Sequence, residues 1–143
     1  FAVIRLCTYF LASFCVAFCI RFSPRVGLCW TLALVLERGL SGLAVAAFPM
    51  AKNTGLAHTF ATAADRESVQ KILIVLSVLL AAALIALGGG ALVAAALLVL
   101  WRYHHVAVKE FGGITGDLAG WFLQKAEFWM LAALAASQWG GIL

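Results

Sequence analysis

The sequence predicts an all-α protein, a polytopic membrane helix bundle of about five transmembrane helices, and three observations predict it. Hydrophobic residues make up 65% of the 143-residue chain and charged residues only 11%, where a soluble domain carries about a quarter charged. A globule this small leaves much of its surface wet and has nowhere to hide so much apolar area. The apolar residues fall in runs long enough to span a bilayer core, which takes about 20 residues, with most charges between them. A soluble fold is thereby excluded, and the lipid bilayer is the first partner implied. The formal charge of +4 comes from Lys and Arg scattered between apolar blocks. That placement suits topology determinants and anchors, so no nucleic-acid partner is expected.

The first span is Phe1 to Ile20, apolar except for Arg5 and a few small polar residues. It has no basic leader and no small-residue cleavage site, so it reads as a span and not as a signal peptide. The chain opens on Phe1 without an initiator Met, and an amino-terminal part is expected to precede it. Arg21, Ser23, Pro24, Arg25 and Gly27 then break the pattern. Leu28 to Phe48 is the second span, interrupted by Glu37 and Arg38. Pro49 to Gln70 is a polar loop that holds Lys52, Asn53, His58, Asp65, Arg66 and Glu67, with Gly55 against one continuous helix.

Ile72 to Leu100 carries no charge. As one helix it would run about 43 Å, too long for a hydrocarbon core of about 30 Å. Gly88, Gly89 and Gly90 sit near its centre, so it splits into the third and fourth spans around a tight turn. The alternative is one long tilted helix. Arg102 to Asp117 is a polar, glycine-rich loop, and Leu118 to about Ala136 is the fifth span, carrying Lys125 and Glu127. No repeat, low-complexity linker or second domain is visible, so residues 1–143 form a single helical domain, and nothing argues against an oligomer.

Charge placement supports five spans over four. With five, one side collects Arg5, Lys52, Arg66, Lys71, Arg102, Lys109 and Lys125, and the other only Arg21 and Arg25. With four the asymmetry largely disappears. The positive-inside rule then places loops 49–70 and 102–117 in the cytoplasm, the protein being multi-pass in the cell inner membrane. The tryptophans at 30, 101, 121 and 139 fall near span ends, as an aromatic belt would, while Trp129 reads as packing. Cys7, Cys15, Cys19 and Cys29 lack CxxC spacing and a nearby histidine, and read as small polarizable packing residues. His104 and His105 are adjacent on a helix, face different ways, and read as interfacial polar residues without a shared metal.

The sharpest local feature is Gly112-Gly113-Ile114-Thr115-Gly116-Asp117. Its glycines let backbone approach a ligand closely. The loop runs into a helix whose first N–H groups and dipole favour anions. A phosphate could sit there, and Asp117 could hold Mg²⁺, a hard cation that takes oxygen ligands. The plainer reading is a glycine turn with Thr115 or Asp117 as an ordinary N-cap. Glu127 lies nearly three turns further along, roughly 15 Å deeper, and needs a partner inside the bundle, with Arg38 or Lys125 as candidates. Glu37 and Arg38 point about 100° apart, so at least one has a partner elsewhere. The fork of donors on Arg38 suits phosphate or carboxylate.

The segment FGGITGDLAGWFLQKAEFWMLAAL, residues 111–134, resembles the carboxy-terminal end of the cobalamin synthase family, the adenosylcobinamide-GDP ribazoletransferases. That family ends with a GGxTGD loop and a helix with a small residue a turn in and acidic residues beyond. Here these are Gly112 to Asp117, Gly120 and Glu127, while an acidic position three residues earlier is Gln124. Weaker likeness runs through Arg38-Gly39 and through Gly55-Leu56 with Phe60. The order of spans and loops also matches over nearly the whole chain. The family's acidic DGxxDxxDG motif is not in this sequence. The resemblance therefore implies the carboxy-terminal part of a longer enzyme, with an incomplete metal site and no activity alone.

The implied reaction is a Mg²⁺-dependent membrane transfer late in cobalamin biosynthesis. Its substrates are adenosylcobinamide-GDP and alpha-ribazole or alpha-ribazole phosphate, and GMP leaves. The resemblance gives the backbone of Gly112, Gly113, Thr115 and Gly116 to phosphate and Asp117 to metal or hydroxyl positioning. Arg38 would stabilise phosphate charge, and Glu127 would hold Arg38 or a polar group of the substrate. The rival class is a non-enzymatic membrane protein, a small transporter or scaffold subunit, with Glu37, Arg38 and Glu127 lining a path.

Overall fold

A computed structural model of the chain describes residues 2–49, 51 and 66–143. Five helices and no strand occur among them: α1 (Ala2–Phe18), α2 (Pro24–Ala47), α3 (Arg66–Ala86), α4 (Gly90–Phe111) and α5 (Gly116–Trp139). α2, α3 and α4 are each long and apolar enough to cross a membrane. α1 is apolar and 17 residues long, and α5 has 24 residues with Asp117, Lys125 and Glu127 among them. The protein is an all-α membrane helix bundle.

Local chemistry sets the helix ends. Ser23 is extended and its hydroxyl accepts from the Val26 N–H at 3.2 Å, with Pro24 following in the first turn. The proline's fixed φ and missing N–H suit that position, so α2 starts before the apolar run does. Gly88 has φ +90°, and the Gly89 N–H reaches back to the Leu84 carbonyl at 2.7 Å. The tight turn expected at the glycines therefore ends α3 and starts α4. Arg25 donates from Nε and Nη2 to the Leu87 carbonyl at 3.0 and 2.7 Å.

Several expectations need correction. The polar segment from Arg102 is not loop down to Asp117, because α4 runs on to Phe111. Leu92, Ala96, Val99, Tyr103 and Ala107 are all buried, so the helical stripe of core residues outlasts the apolar run and carries the helix with it. α3 likewise begins at Arg66, inside the segment expected to be loop up to Gln70. The side chains of Arg66 and Gln70 donate to the Ala46 carbonyl, each at 2.6 Å. Trp129 is 54% exposed and Trp101 69%, so Trp129 is not core packing, and Trp101 stands within α4 and not at its end. Of the cysteines only Cys29 joins the core; Cys7, Cys15 and Cys19 are exposed. Gly55, Leu56 and Phe60, with Lys52, Asn53, His58 and Asp65, lie outside the described residues.

α5 packs on α1, α2 and α4, and α2 packs on α3. The core between them is built mainly from α2, α4 and α5, with Leu36, Leu40, Tyr103, Phe122 and Met130 among its large side chains and Leu84 joining from α3. Tyr103 and Phe122 stack at 5.1 Å between centroids. α3 turns Ile72, Val75 and Leu79 outward, as lipid contact allows. Connections alternate between two ends. At one end Arg21 and Gln138 exchange two hydrogen bonds and Arg25 holds the turn at Leu87. At the other the Ile114 N–H donates to the Pro49 carbonyl at 2.8 Å, and the Ala51 N–H to the Ile114 carbonyl at 3.0 Å.

Candidate functional site

The six residues from Gly112 to Asp117 form the second of these ends. Gly112 has φ +69°, a left-handed conformation that stops α4, and the Gly113 N–H closes onto the Ala107 carbonyl at 2.9 Å. Ile114 is buried and pins the loop to the core while its backbone pairs with the segment after α2. Thr115 is extended and its Oγ1 accepts from the Leu118 N–H at 3.3 Å. It is thus the N-cap of α5. The amides of Gly113 and Ile114 are committed inside the protein. The donors left to an anion by helix geometry are the first N–H groups of α5, at Gly116 and Asp117.

Beside this loop lies a groove of about 730 Å³, whose lining includes Thr115, Asp117, Glu110, Arg102, Phe111 and Trp121. Asp117 and Thr115 therefore line one groove with Glu110 and Arg102 from α4, which sequence reasoning left out of the site. Glu110 could have been found only by knowing that α4 continues to Phe111. Among the described residues no group of three His, Cys, Asp or Glu side chains could hold a metal ion. Asp117 and Glu110 line one groove, and two carboxylates suit Mg²⁺, which keeps waters and takes further oxygens from phosphates.

The other candidates assemble elsewhere. Arg38 Nη2 donates to Glu127 Oε1 at 2.9 Å, and Tyr9 Oη donates to Glu127 Oε2 at 2.9 Å. Glu127 thus joins α1, α2 and α5 midway along the bundle, with Arg38 as the partner its depth called for. Ten residues of helix separate it from Asp117, about 15 Å, so Arg38 and Glu127 do not share the groove at the loop. Tyr9 was missed, since one tyrosine in an apolar run carries no signal. Glu37 points into the core, fully buried, with no hydrogen bond to either carboxylate oxygen. His104 packs edge-on to Phe48, and His105 stacks on Trp101.

Comparison with known proteins bears on these assignments. The family described as Cobalamin-5-phosphate synthase matches residues 1–135. A protein named adenosylcobinamide-GDP ribazoletransferase from Lachnoclostridium phytofermentans is 35% identical over 138 residues, 94% of this chain and 51% of that relative. The chain spans about half the length of the curated relative it matches. No solved structure matches it.

Proposed function

The chain belongs to the Cobalamin-5-phosphate synthase family, and from that premise we propose that it is part of a membrane transferase that joins adenosylcobinamide-GDP to alpha-ribazole or alpha-ribazole phosphate. A ribazole hydroxyl oxygen attacks the phosphorus on the cobinamide side. The bond from that phosphorus to the bridging oxygen breaks, GMP leaves with the bridging oxygen, and the hydroxyl proton passes to a base. The observation that carries this reading is the groove lined by Asp117, Thr115 and Glu110 beside the start of α5 and by Arg102 further along α4. Such a reaction needs charge neutralisation on a diphosphate and a hydroxyl held in line.

Each residue has a part in the reading. The N-terminus of α5, with Thr115 as its cap and Gly116 leaving the backbone open, faces the leaving phosphate. Asp117, with Glu110 across the groove, would hold Mg²⁺, which supplies charge neutralisation when bound. Gly112 and Gly113 shape the turn that brings Asp117 beside α4. Arg38 and Glu127 brace one another deeper in the bundle, and a polar group of a bulky substrate reaching that depth would meet them. The end that carries Gly112 to Asp117 faces the cytoplasm, the protein crosses the inner membrane five times, and both substrates enter from the nucleotide-containing side.

Family membership weighs against the transporter or scaffold reading. The test is ribazole transfer by the product of the whole reading frame, followed as GMP release, with Asp117→Asn. A fall in kcat on the order of 100-fold is expected. Rates like those of the wild type would remove Asp117 from the site.

A further inference from the structure

The continuation of α4 to Phe111 changes the place of Arg102. It stands nine residues before the end of that helix, about 14 Å along it. Lys125 stands nine residues after Gly116 on α5, also about 14 Å from the connecting loop. The two helices are antiparallel neighbours joined by residues 112–115, so both cations stand at one level along the helix pair, each on an exposed face. Neither has a carboxylate or hydrogen-bond partner among the described residues. Glu127 is committed to Arg38 and Tyr9, and Glu67 to Lys71. Two cations so placed on membrane helices are expensive and ask for a counter-charge.

Both cations line one groove of about 540 Å³ between α4 and α5, with Trp121 and Trp129. Trp121 lies one helical turn from Lys125 towards the loop. It also lines the groove at Asp117 and, with Lys125, a third of about 530 Å³ against α1. The three spaces therefore meet at one indole. A guanidinium offers paired donors to phosphate oxygens and an ammonium offers a compact positive charge. An indole face takes a planar ring. Two unpaired cations match a group carrying two negative charges.

We propose that Arg102, Lys125 and Trp121 form a binding subsite for a diphosphate-bearing ligand with a planar ring, continuing from the groove at Asp117 along the outer face of α4 and α5. The cations take the diphosphate and Trp121 takes the ring. This deepens the transferase reading and rests on it only for the identity of the ligand's carrier. The simpler alternative is that both side chains reach to the membrane surface as anchors.

The test is binding of GDP and of inorganic pyrophosphate to the product of the whole reading frame in phosphatidylcholine nanodiscs, by calorimetry. Arg102→Gln and Lys125→Gln should each weaken both ligands about tenfold or more, while Lys125→Arg keeps GDP within about threefold. Trp121→Leu should weaken GDP and leave pyrophosphate within about twofold. Failure of the wild type to bind GDP, or a double Gln variant that binds within about twofold of it, would overturn the proposal in favour of anchors. Nanodiscs with phosphatidylglycerol separate a lipid headgroup from a nucleotide. If that lipid stays bound to the wild type, is lost in the double variant and is not displaced by GDP, the proposal also falls. If the wild type releases no GMP with ribazole present while Lys125→Gln loses GDP, the subsite stands and the transfer reading falls. Transfer by the wild type, lost in Asp117→Asn, with GDP binding indifferent to Lys125 and Arg102, gives the reverse.

Discussion

Glu37 and Arg38 are neighbours in sequence and strangers in space. One residue of helix turns them about 100° apart, which sends the carboxylate into the core and the guanidinium to Glu127. That Glu127 needed a partner was legible, because a carboxylate at that depth is costly in lipid. Arg38 and Lys125 were equally eligible from sequence, and only the placement of α2 against α5 chose Arg38. Polar pairs inside membrane bundles contribute about 1 kcal/mol. A double-mutant cycle of Arg38→Ala and Glu127→Gln, read from thermal unfolding in detergent, should therefore give a coupling of about 1 kcal/mol. Additive effects would mean that the pair adds nothing to stability. Asp117 was legible as a candidate from the GGITGD pattern. Glu110 and Tyr9, which the fold sets beside Asp117 and Glu127, were not.

Helices kept their identity from sequence to structure, but not their lengths. The apolar run that marked the fourth span stops at Leu100, yet the buried positions continue through Tyr103 and Ala107. A membrane helix that protrudes past its hydrocarbon stretch becomes amphipathic there, and a count of apolar residues does not register it. The pairing of α2 with α3 is finer still. A Cβ on Gly39 would come within 3.2 Å of Ser77 Oγ, and one on Gly42 within 3.3 Å of Leu73 Cδ1. Small residues at such a contact let backbones approach, which is how helices associate in lipid without a hydrophobic drive. Gly42→Leu should lower stability by about 1–3 kcal/mol through overpacking, measured as a shift in thermal unfolding. Unchanged stability would show that α3 swings away without loss.

The bundle as a whole runs up and down, with Gly112 to Asp117 beside Pro49 and Ala51 at one end and the 87–89 turn beside Arg25 at the other. Single cysteines placed at 112 and at 141, in a background without the four native ones, should react with impermeant maleimide from opposite faces of the membrane. Labelling of both from one face would contradict an odd number of crossings by α5. Composition and run length alone determined that this is an all-α membrane bundle, because burying or solvating so much apolar surface leaves few options. The glycines determined the turns, since chain reversal at Gly88 and Gly112 calls for positive φ. Tertiary structure decided which charges meet. Charge pairing depends on helix rotation and on neighbours distant in sequence, and these bring Arg38 to Glu127, line one groove with Asp117 and Glu110, and leave Arg102 and Lys125 without a partner among the described residues, beside Trp121.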